Sequence, residues 1–354
     1  MNANVLMLYP QEGLPPDSTI RHKNQAAVRQ LAMLMNGHVF EHGERVPAGT
    51  MVMGYPLEVV ATTTDLPKSI LEPGGLYGAI VESDNHGHKA VLHALPHGDA
   101  PSPDWYSNSA ASASGEGTMP GFSFFDHHSG LHAFDRVVAD HGQARLKIAN
   151  EQAGRGQWVV DDKDHLKRIL SSNPNGFASG FVMEPHLHDH EVMVVSQVQT
   201  PLGFISLAGH CYDVIDSNGK AKYGGAELTA INQPLEDLAT HFGGNRLLRE
   251  AIRAATETNR VFEVLGATVS KFTFDVVSGN DSKGNHTLGV TDTSLRPTAS
   301  TPAEIAAMKY YATHTGGPVS ISLRYDYTGL PVAQGFDTFL NTGKVTIGTR
   351  VSPI

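Results

Sequence analysis

The sequence predicts a mixed α/β (α+β) protein built from two or three packed units, and three observations carry that expectation. At 354 residues the chain exceeds the usual size of one hydrophobic core. Its first part alternates strand-like and helix-like segments. Its second part is a series of short apolar runs separated by glycine-rich turns, interrupted by one long amphipathic stretch.

Taken in order, "NVLMLYP" (4–10) reads as a strand and "STIRHKNQAAVRQLAMLMNG" as a helix. In the latter, Ala27, Leu31, Leu34 and Met35 recur at helical spacing and Gly37 is a natural stop. "MVMGYPLEVV" and "GLYGAIVES" read as further strands, completing a small α/β unit. Residues 96–121, rich in Pro, Ser, Gly and Ala and without periodicity, read as a linker or mobile loop holding a domain boundary. Beyond it, "HAFDRVVADHG" and "KDHLKRILSS" suit helices. "ARLKIA", "QWVVD", "GFVMEPHL", "EVMVVSQVQ" and "LGFISLAGHCYDVI" suit strands. At about 244–265, Leu247, Leu248, Ile252, Ala255, Val261 and Phe262 line one helical face that Gly266 closes. "SKFTFDVV" and "HTLGVTDTSLRP" are two more strands, followed by a helix near 302–314 and a mixed tail.

Composition narrows function. Apolar residues make up 40% and charged residues 18%, as in folded globular chains. With 36 acidic against 26 basic residues, the net charge of −10 argues against nucleic acid or an anionic membrane as partner. The single Cys211 excludes a disulfide framework and any CxxC site, and it reads as a buried small residue. No apolar run is long enough to span a bilayer, and the first residues lack a basic signal-peptide start. The expectation is a cytoplasmic protein.

The stretch "RLKIANEQAGRGQWVVDD" (145–162) places Lys147 before a glycine turn between two strands. Alone it fits an ordinary hairpin as well as a phosphate cradle, because glycine N–H groups can approach an anion closely. It is neither a P-loop nor a Rossmann fingerprint. Three later stretches add chemistry. In "FVMEPHLHDHEVMVV", Glu184 ends one strand and Glu191 opens the next, seven residues on. Asp275 interrupts the apolar strand "SKFTFDVV". In "GVTDTSLRP", Asp292, Ser294 and Arg296 alternate at period two. Carboxylates within apolar strands are costly unless paired or bound to a cation, so hard-cation and phosphate binding is the chemistry indicated. The histidine clusters "SDNHGHK", "DHHSGLH" and "HLHDHE" raise a zinc or nickel site as a separate reading; an exposed hinge decoration is the plainer one.

In that order, over roughly residues 120–300, the chain resembles the ATP-grasp superfamily. "KIANEQAGRGQWVV", "YGGAEL" and "FDVVSGNDSKGNHTLGVTDTSLRP" more narrowly resemble a poorly characterised bacterial group within it. The resemblance implies a small N-terminal α/β domain (1–115) and two α+β subdomains (116–192 and 193–354) sandwiching a nucleotide. It implies ATP and Mg2+ as cofactors. Lys147 with Gly154, Arg155, Gly156 and Gln157 would hold phosphates. Glu184, Pro185, His186 and Leu187 would form the adenine hinge, and Glu191 would bind ribose. Asp275, Asp292 and Ser294 would be the metal ligands, although the family more often has Asn where Ser294 stands and Glu where Asp292 stands. Arg296 and Lys271 would be catalytic, Arg136 would stand in for a further phosphate-binding lysine, and Tyr223 and Glu227 would sit in a closing loop. The implied activity is ligation of a carboxylate to an amine through an acylphosphate, by a protein for which a homodimer is the default. A small-molecule kinase and a non-catalytic nucleotide-binding module are the alternatives.

Overall fold

The computed structural model describes residues 3–6, 18–40, 44–47, 50–62, 66–152, 154–216 and 219–354. Residues 7–10 of the expected first strand lie outside this set, as does Ala153 of the glycine turn.

The scaffold is an eight-stranded sheet in which every neighbouring pair is antiparallel. Its order is His286–Ser294, Lys271–Asn280, His188–Thr200, Gly203–Ile215, Ala221–Ile231, Val319–Asp326, Thr346–Pro353 and Asp337–Asn341. Strand side chains alternate between faces, and here both faces are covered. Val194 and Val198 pack into a core shared with helices Thr19–Leu34 and Thr301–Tyr311. Met193 and Val195 pack into a second core built on helix Arg246–Val264. That double burial explains why "EVMVVSQVQ" reads as nearly continuous apolar sequence. Helix Arg246–Val264 buries Leu248, Ala251, Ile252, Ala255, Val261 and Phe262, and the Asn245 side chain caps its start by accepting from the Leu248 N–H at 3.1 Å. Each fully buried aliphatic or aromatic side chain in such a stripe contributes about 1.5–3 kcal/mol.

A four-stranded antiparallel sheet carries the glycine turn. Its order is Phe122–Phe124, Phe181–Pro185, Ala144–Ile148 and Gln157–Val160. Helices His127–His141 and Lys163–Ser172 cover one face, closing a core around Phe124, Phe134, Leu146, Leu170, Phe181 and Met183. The N-terminal unit is a three-stranded parallel sheet of Val39–Phe40, Ala3–Leu6 and Met51–Gly54 beside helix Thr19–Leu34. Among the described residues no helix is long and apolar enough to cross a membrane.

Three expectations need correction. Residues 96–121 are packed, not a mobile linker. Helix Asn108–Ser112 buries Ala110 and Ala111, Tyr106 donates to the His93 carbonyl, and the Met119 N–H bonds the Val290 carbonyl at 2.9 Å. Small side chains made the segment look featureless while letting it lie close against its neighbours. The mixed tail supplies three strands of the large sheet, two of them, Val319–Asp326 and Thr346–Pro353, in its interior and Asp337–Asn341 at its edge. "YGGAEL" is also no loop: it lies within strand Ala221–Ile231, where the Glu227 carboxylate accepts from Ser322 Oγ at 2.6 Å.

A buried ionic network pins helix Thr301–Tyr311 to the sheet. Lys271 Nζ donates to Glu304 Oε1 at 2.6 Å and to Thr273 Oγ1 at 2.9 Å. Tyr77 donates to Glu304 Oε2 and Ser196 to Oε1, so both carboxylate oxygens are occupied. Lys271 and Glu304 are each 0% exposed, so removing one partner leaves the other charged and unpaired in the core. Lys271→Met is expected to cost about 3–5 kcal/mol in urea unfolding. The double variant Lys271→Met/Glu304→Gln, whose amide keeps one acceptor oxygen for Tyr77 or Ser196 and can donate its NH2 to the other hydroxyl oxygen, should recover much of that loss. Equal stability of Lys271→Met and the parent would contradict this role.

Candidate active site

The site begins with strand alternation. On Ala144–Ile148, Leu146 enters the core beneath the small sheet, which turns Arg145 and Lys147 to the opposite face. The register sets Arg145 against Glu184 on the neighbouring strand, so Glu184 shares that face. Lys147 Nζ lies 2.5 Å from Glu184 Oε2 and donates to the Thr291 carbonyl at 3.1 Å, which leaves one ammonium hydrogen uncommitted. His93 Nε2 lies 3.1 Å from Glu184 Oε1, at an angle that gives neither atom a formed hydrogen bond. Burial alone would push the Glu184 carboxyl up; Lys147 and His93 together hold it below its ordinary value.

The large sheet brings up the second half. Asp275 and Asp292 are direct cross-strand partners, beside a bulge between Asp275 and Val276. Two like charges at such a position repel. Asp275 is the exposed residue in the middle of an otherwise largely buried strand, and its side chain opens onto a cavity. Burial and then the Asp292 carboxylate push it up to about 7, against the opposing pull of Lys147 and Lys89. Lys89 Nζ stands 3.4 Å from Asp292 Oδ1 and donates to the carbonyls of Ala149 (3.0 Å) and Glu151 (2.8 Å), anchoring the first arm of the glycine hairpin. Gly154 (φ +74°) and Gly156 (φ +59°) give the hairpin its left-handed backbone.

Between these halves lies a cavity of about 270 Å³. Of the expected site residues, Lys147, Gly154, Gln157, Glu184, Pro185, Leu187, Asp275 and Asp292 line it. Met119, Val192 and Val277 join Leu187 and Pro185 as its apolar walls. Val192 and Val277 are register partners, two residues along the strand from Asp275, or roughly 7 Å. The cavity is therefore acidic and cationic at one end and apolar at the other.

The remaining expected residues do not line it. Glu191 points away: it follows a strand irregularity containing Asp189 (φ +47°), and its carboxylate sits 3.3 Å from His210. The opposite parity puts His190 at the cavity instead. His186 lies 3.1 Å from Arg145 Nη2, and burial followed by Arg145 pushes its imidazole down to about 4. Arg155 is 73% exposed and pairs with Glu151, and Gly156 packs behind the turn. Lys271 belongs to the buried Glu304 network. Ser294 ends its strand away from the cavity, and Arg296, just past the strand end, pairs with Glu58 at 3.0 Å. Arg136 lies over the Phe122 ring and donates to the Pro96 carbonyl, so Lys89, which sequence reasoning missed, is the cation beside the acidic pair. Cys211 is half-buried, and burial with Asp275 pushes its thiol up to about 12, which does not suit a nucleophile.

A second cationic group lies past the end of strand His286–Ser294. Lys23 donates to the Thr298 carbonyl at 2.8 Å, and burial, then Arg296 and Lys271, push it down to about 8. His88 is pushed down to about 4 by burial and Lys89, with a further contribution from Arg296, and its buried Nδ1 has no hydrogen-bond partner.

A family profile described as "Protein of unknown function (DUF3182)" matches residues 16–328. The chain belongs to this family. No curated protein sequence matches this family member. Among solved structures, it is similar to a biotin carboxylase–β,γ-ATP complex from Campylobacter jejuni (TM-score 0.51, 9% identity, covering 99% of this chain and 87% of the other). It is also similar to N5-carboxyaminoimidazole synthetase from Staphylococcus aureus complexed with ADP (TM-score 0.50, 11% identity, 100% and 94% covered). A third similar structure is the biotin carboxylase domain of 2-oxoglutarate carboxylase from Hydrogenobacter thermophilus, with MgADP, ADP and bicarbonate (TM-score 0.50, 10% identity, 99% and 86% covered). These likenesses show that the DUF3182 chain has the ATP-grasp fold.

The acidic pair makes a test of its own. Because folding raises the Asp275 pKa from 3.8 to about 7, the protonated form is the one the fold favours. Stability present below pH 3.8 is therefore lost as pH rises through about 7. In chelator-treated buffer, Asp275→Asn should leave the melting temperature nearly unchanged at pH 4 and raise it modestly at pH 8, because solvent in the cavity screens part of the repulsion. A loss at pH 8, or the same change at both, would contradict the assignment.

Proposed function

We propose that the protein is an ATP-dependent ligase that activates a small-molecule carboxylate as an acylphosphate and transfers the acyl group to an amine, releasing ADP and phosphate. The single observation that carries this reading is the Asp275/Asp292 pair facing Lys147 and Lys89 beneath a glycine hairpin, at the polar end of a cavity whose other end is apolar. The donor set fits a hard divalent cation: two carboxylates side by side, one of which holds its proton near neutrality for want of positive charge. Bound there, Mg2+ would neutralise phosphate oxygens.

The chain's own residues supply position and charge. Asp275 and Asp292 hold the metal, and Ser294 is left out of the ligand set. Lys147 offers its uncommitted N–H to a phosphate oxygen while Glu184 and the Thr291 carbonyl fix its direction. Lys89 ties the hairpin to Asp292, so hairpin position and metal site are set together. Leu187, Val192 and Val277 give a flat base its apolar contacts, and His190 takes the place expected of Glu191. The acid to be activated enters from the side of Lys23, Arg296 and His88. There, among the described residues, the Lys23 ammonium donates to a carbonyl and has no carboxylate partner. The division into 1–115, 116–192 and 193–354 follows the same reading, with the hairpin sheet falling in the middle part.

The decisive assay follows nucleotide product with ATP, Mg2+ and a panel of acids, each with and without amines. ADP and phosphate release that requires both an acid and an amine supports ligation. A stable phosphorylated product formed without an amine would establish the kinase alternative. In nucleotide binding by calorimetry, Lys147→Gln should weaken affinity by about 10-fold or more, the worth of a charge-assisted hydrogen bond. Glu191→Ala should change it less than about twofold. Affinity unchanged by Lys147→Gln, in a variant that melts like the parent, would overturn the site.

A further inference from the structure

The histidines of "DHHSGLH" do not serve the cavity, and their placement has a chemistry of its own. His128 and His132 are one turn apart on helix His127–His141, so their rings share a helix face. His97 reaches them from the segment that follows His93, with its ring centroid 4.9 Å from that of His132. The Nε2 atoms of His128 and His132 are 3.2 Å apart, and one nitrogen from each of the three rings lies within 4.8 Å of the others. By contrast, His186 and His188 pack edge to face with ring centroids 4.8 Å apart, but the first meets Arg145, the second Ser282 and His190 the cavity, and among the described residues these three do not bring their ligand atoms together.

We propose that His97, His128 and His132 form a binding site for a borderline divalent metal ion such as Zn2+, separate from the Asp275/Asp292 pair and independent of the ligase reading. Zinc–imidazole bonds of about 2.0–2.1 Å around a tetrahedral ion put neighbouring nitrogens about 3.3 Å apart. The His128–His132 separation of 3.2 Å already matches that edge. The His97 ring is oriented for the role. Its Nδ1 lies 2.8 Å from Asp99 Oδ1; an ionised carboxylate only accepts, so Nδ1 carries the proton and the Nε2 lone pair is free. That Nε2 now meets only the Ser129 hydroxyl, at 3.4 Å, a contact easily exchanged for a metal bond. Three imidazoles leave a fourth position open to water, and all-nitrogen donors select zinc, nickel or copper over magnesium.

The metal would staple residues 93–99 to the helix that covers the hairpin sheet. One end of that stretch, His93, stands beside Glu184, and the other, Asp99, orients His97. Arg136 of the same helix already holds the Pro96 carbonyl, so the metal reinforces an existing contact rather than creating a new arrangement.

The test uses the full chain without an affinity tag and Zn2+ alone, followed by calorimetry and thermal melting. The expected result is one site per chain and a rise in melting temperature, both unaffected by Asp275→Asn and by excess Mg2+. His128→Gln/His132→Gln should abolish the site and the stabilisation, with the metal-free melting temperature unchanged because both side chains are exposed. Asp99→Asn should weaken affinity about 10-fold through loss of orientation alone. Zinc binding and stabilisation that survive in the double histidine variant, or no one-to-one binding in the parent, would overturn the proposal.

Discussion

Asp275 and Asp292 stand directly opposite each other on adjacent antiparallel strands, a pairing that the backbone imposes and that charge repulsion opposes. Much of the surrounding structure answers that repulsion. Lys89 and Lys147 approach from two different elements, and each also holds backbone carbonyls: Lys89 those of the hairpin, Lys147 that of Thr291 on the Asp292 strand. The two lysines do not fully neutralise the pair, since Asp275 still keeps its proton to about pH 7. The missing positive charge is what a divalent cation would supply. The hairpin sheet and the large sheet thus meet at one electrostatic deficit.

Much of the fold was legible because it rests on periodicity. Helix Arg246–Val264 and the strands of "EVMVVSQVQ" and "SKFTFDVV" carry unambiguous apolar patterns, and each forms where expected. The segment 96–121 was misread because alanine, serine and glycine carry little hydrophobic signal even when, like Ala110, they are fully buried. "VSISLRYD" did carry an alternating strand pattern, and Val319–Asp326 uses it, with Ile321 and Leu323 inward. Its place inside the sheet, far from its sequence neighbours, is what no local pattern reveals.

The candidate site divides along the same line. Residues fixed by the strand alternation around a motif, such as Lys147, Glu184, Asp275 and Asp292, arrive together at the cavity. Glu191 does not, because the irregularity around Asp189 changes which side chain faces inward and substitutes His190. Lys271 shares a strand face with Asp275 but meets Glu304 from a distant helix, a partner invisible at short range. Lys89 lies in a short turn of the N-terminal half, and only tertiary contact brings it to Asp292. Spacing revealed the chemistry-bearing residues within one element; the counter-charges from other elements needed the structure.

The central claim is that the acidic pair and Lys147 together receive a metal and a nucleotide phosphate. A crystal structure grown with ADP and Mn2+, read by anomalous scattering from the manganese, tests it most directly. The account predicts a manganese peak within bonding distance of both Asp275 and Asp292, with the β-phosphate against Lys147 and the base between Leu187 and Val277. Manganese bound elsewhere, or a nucleotide outside this cavity, would contradict it.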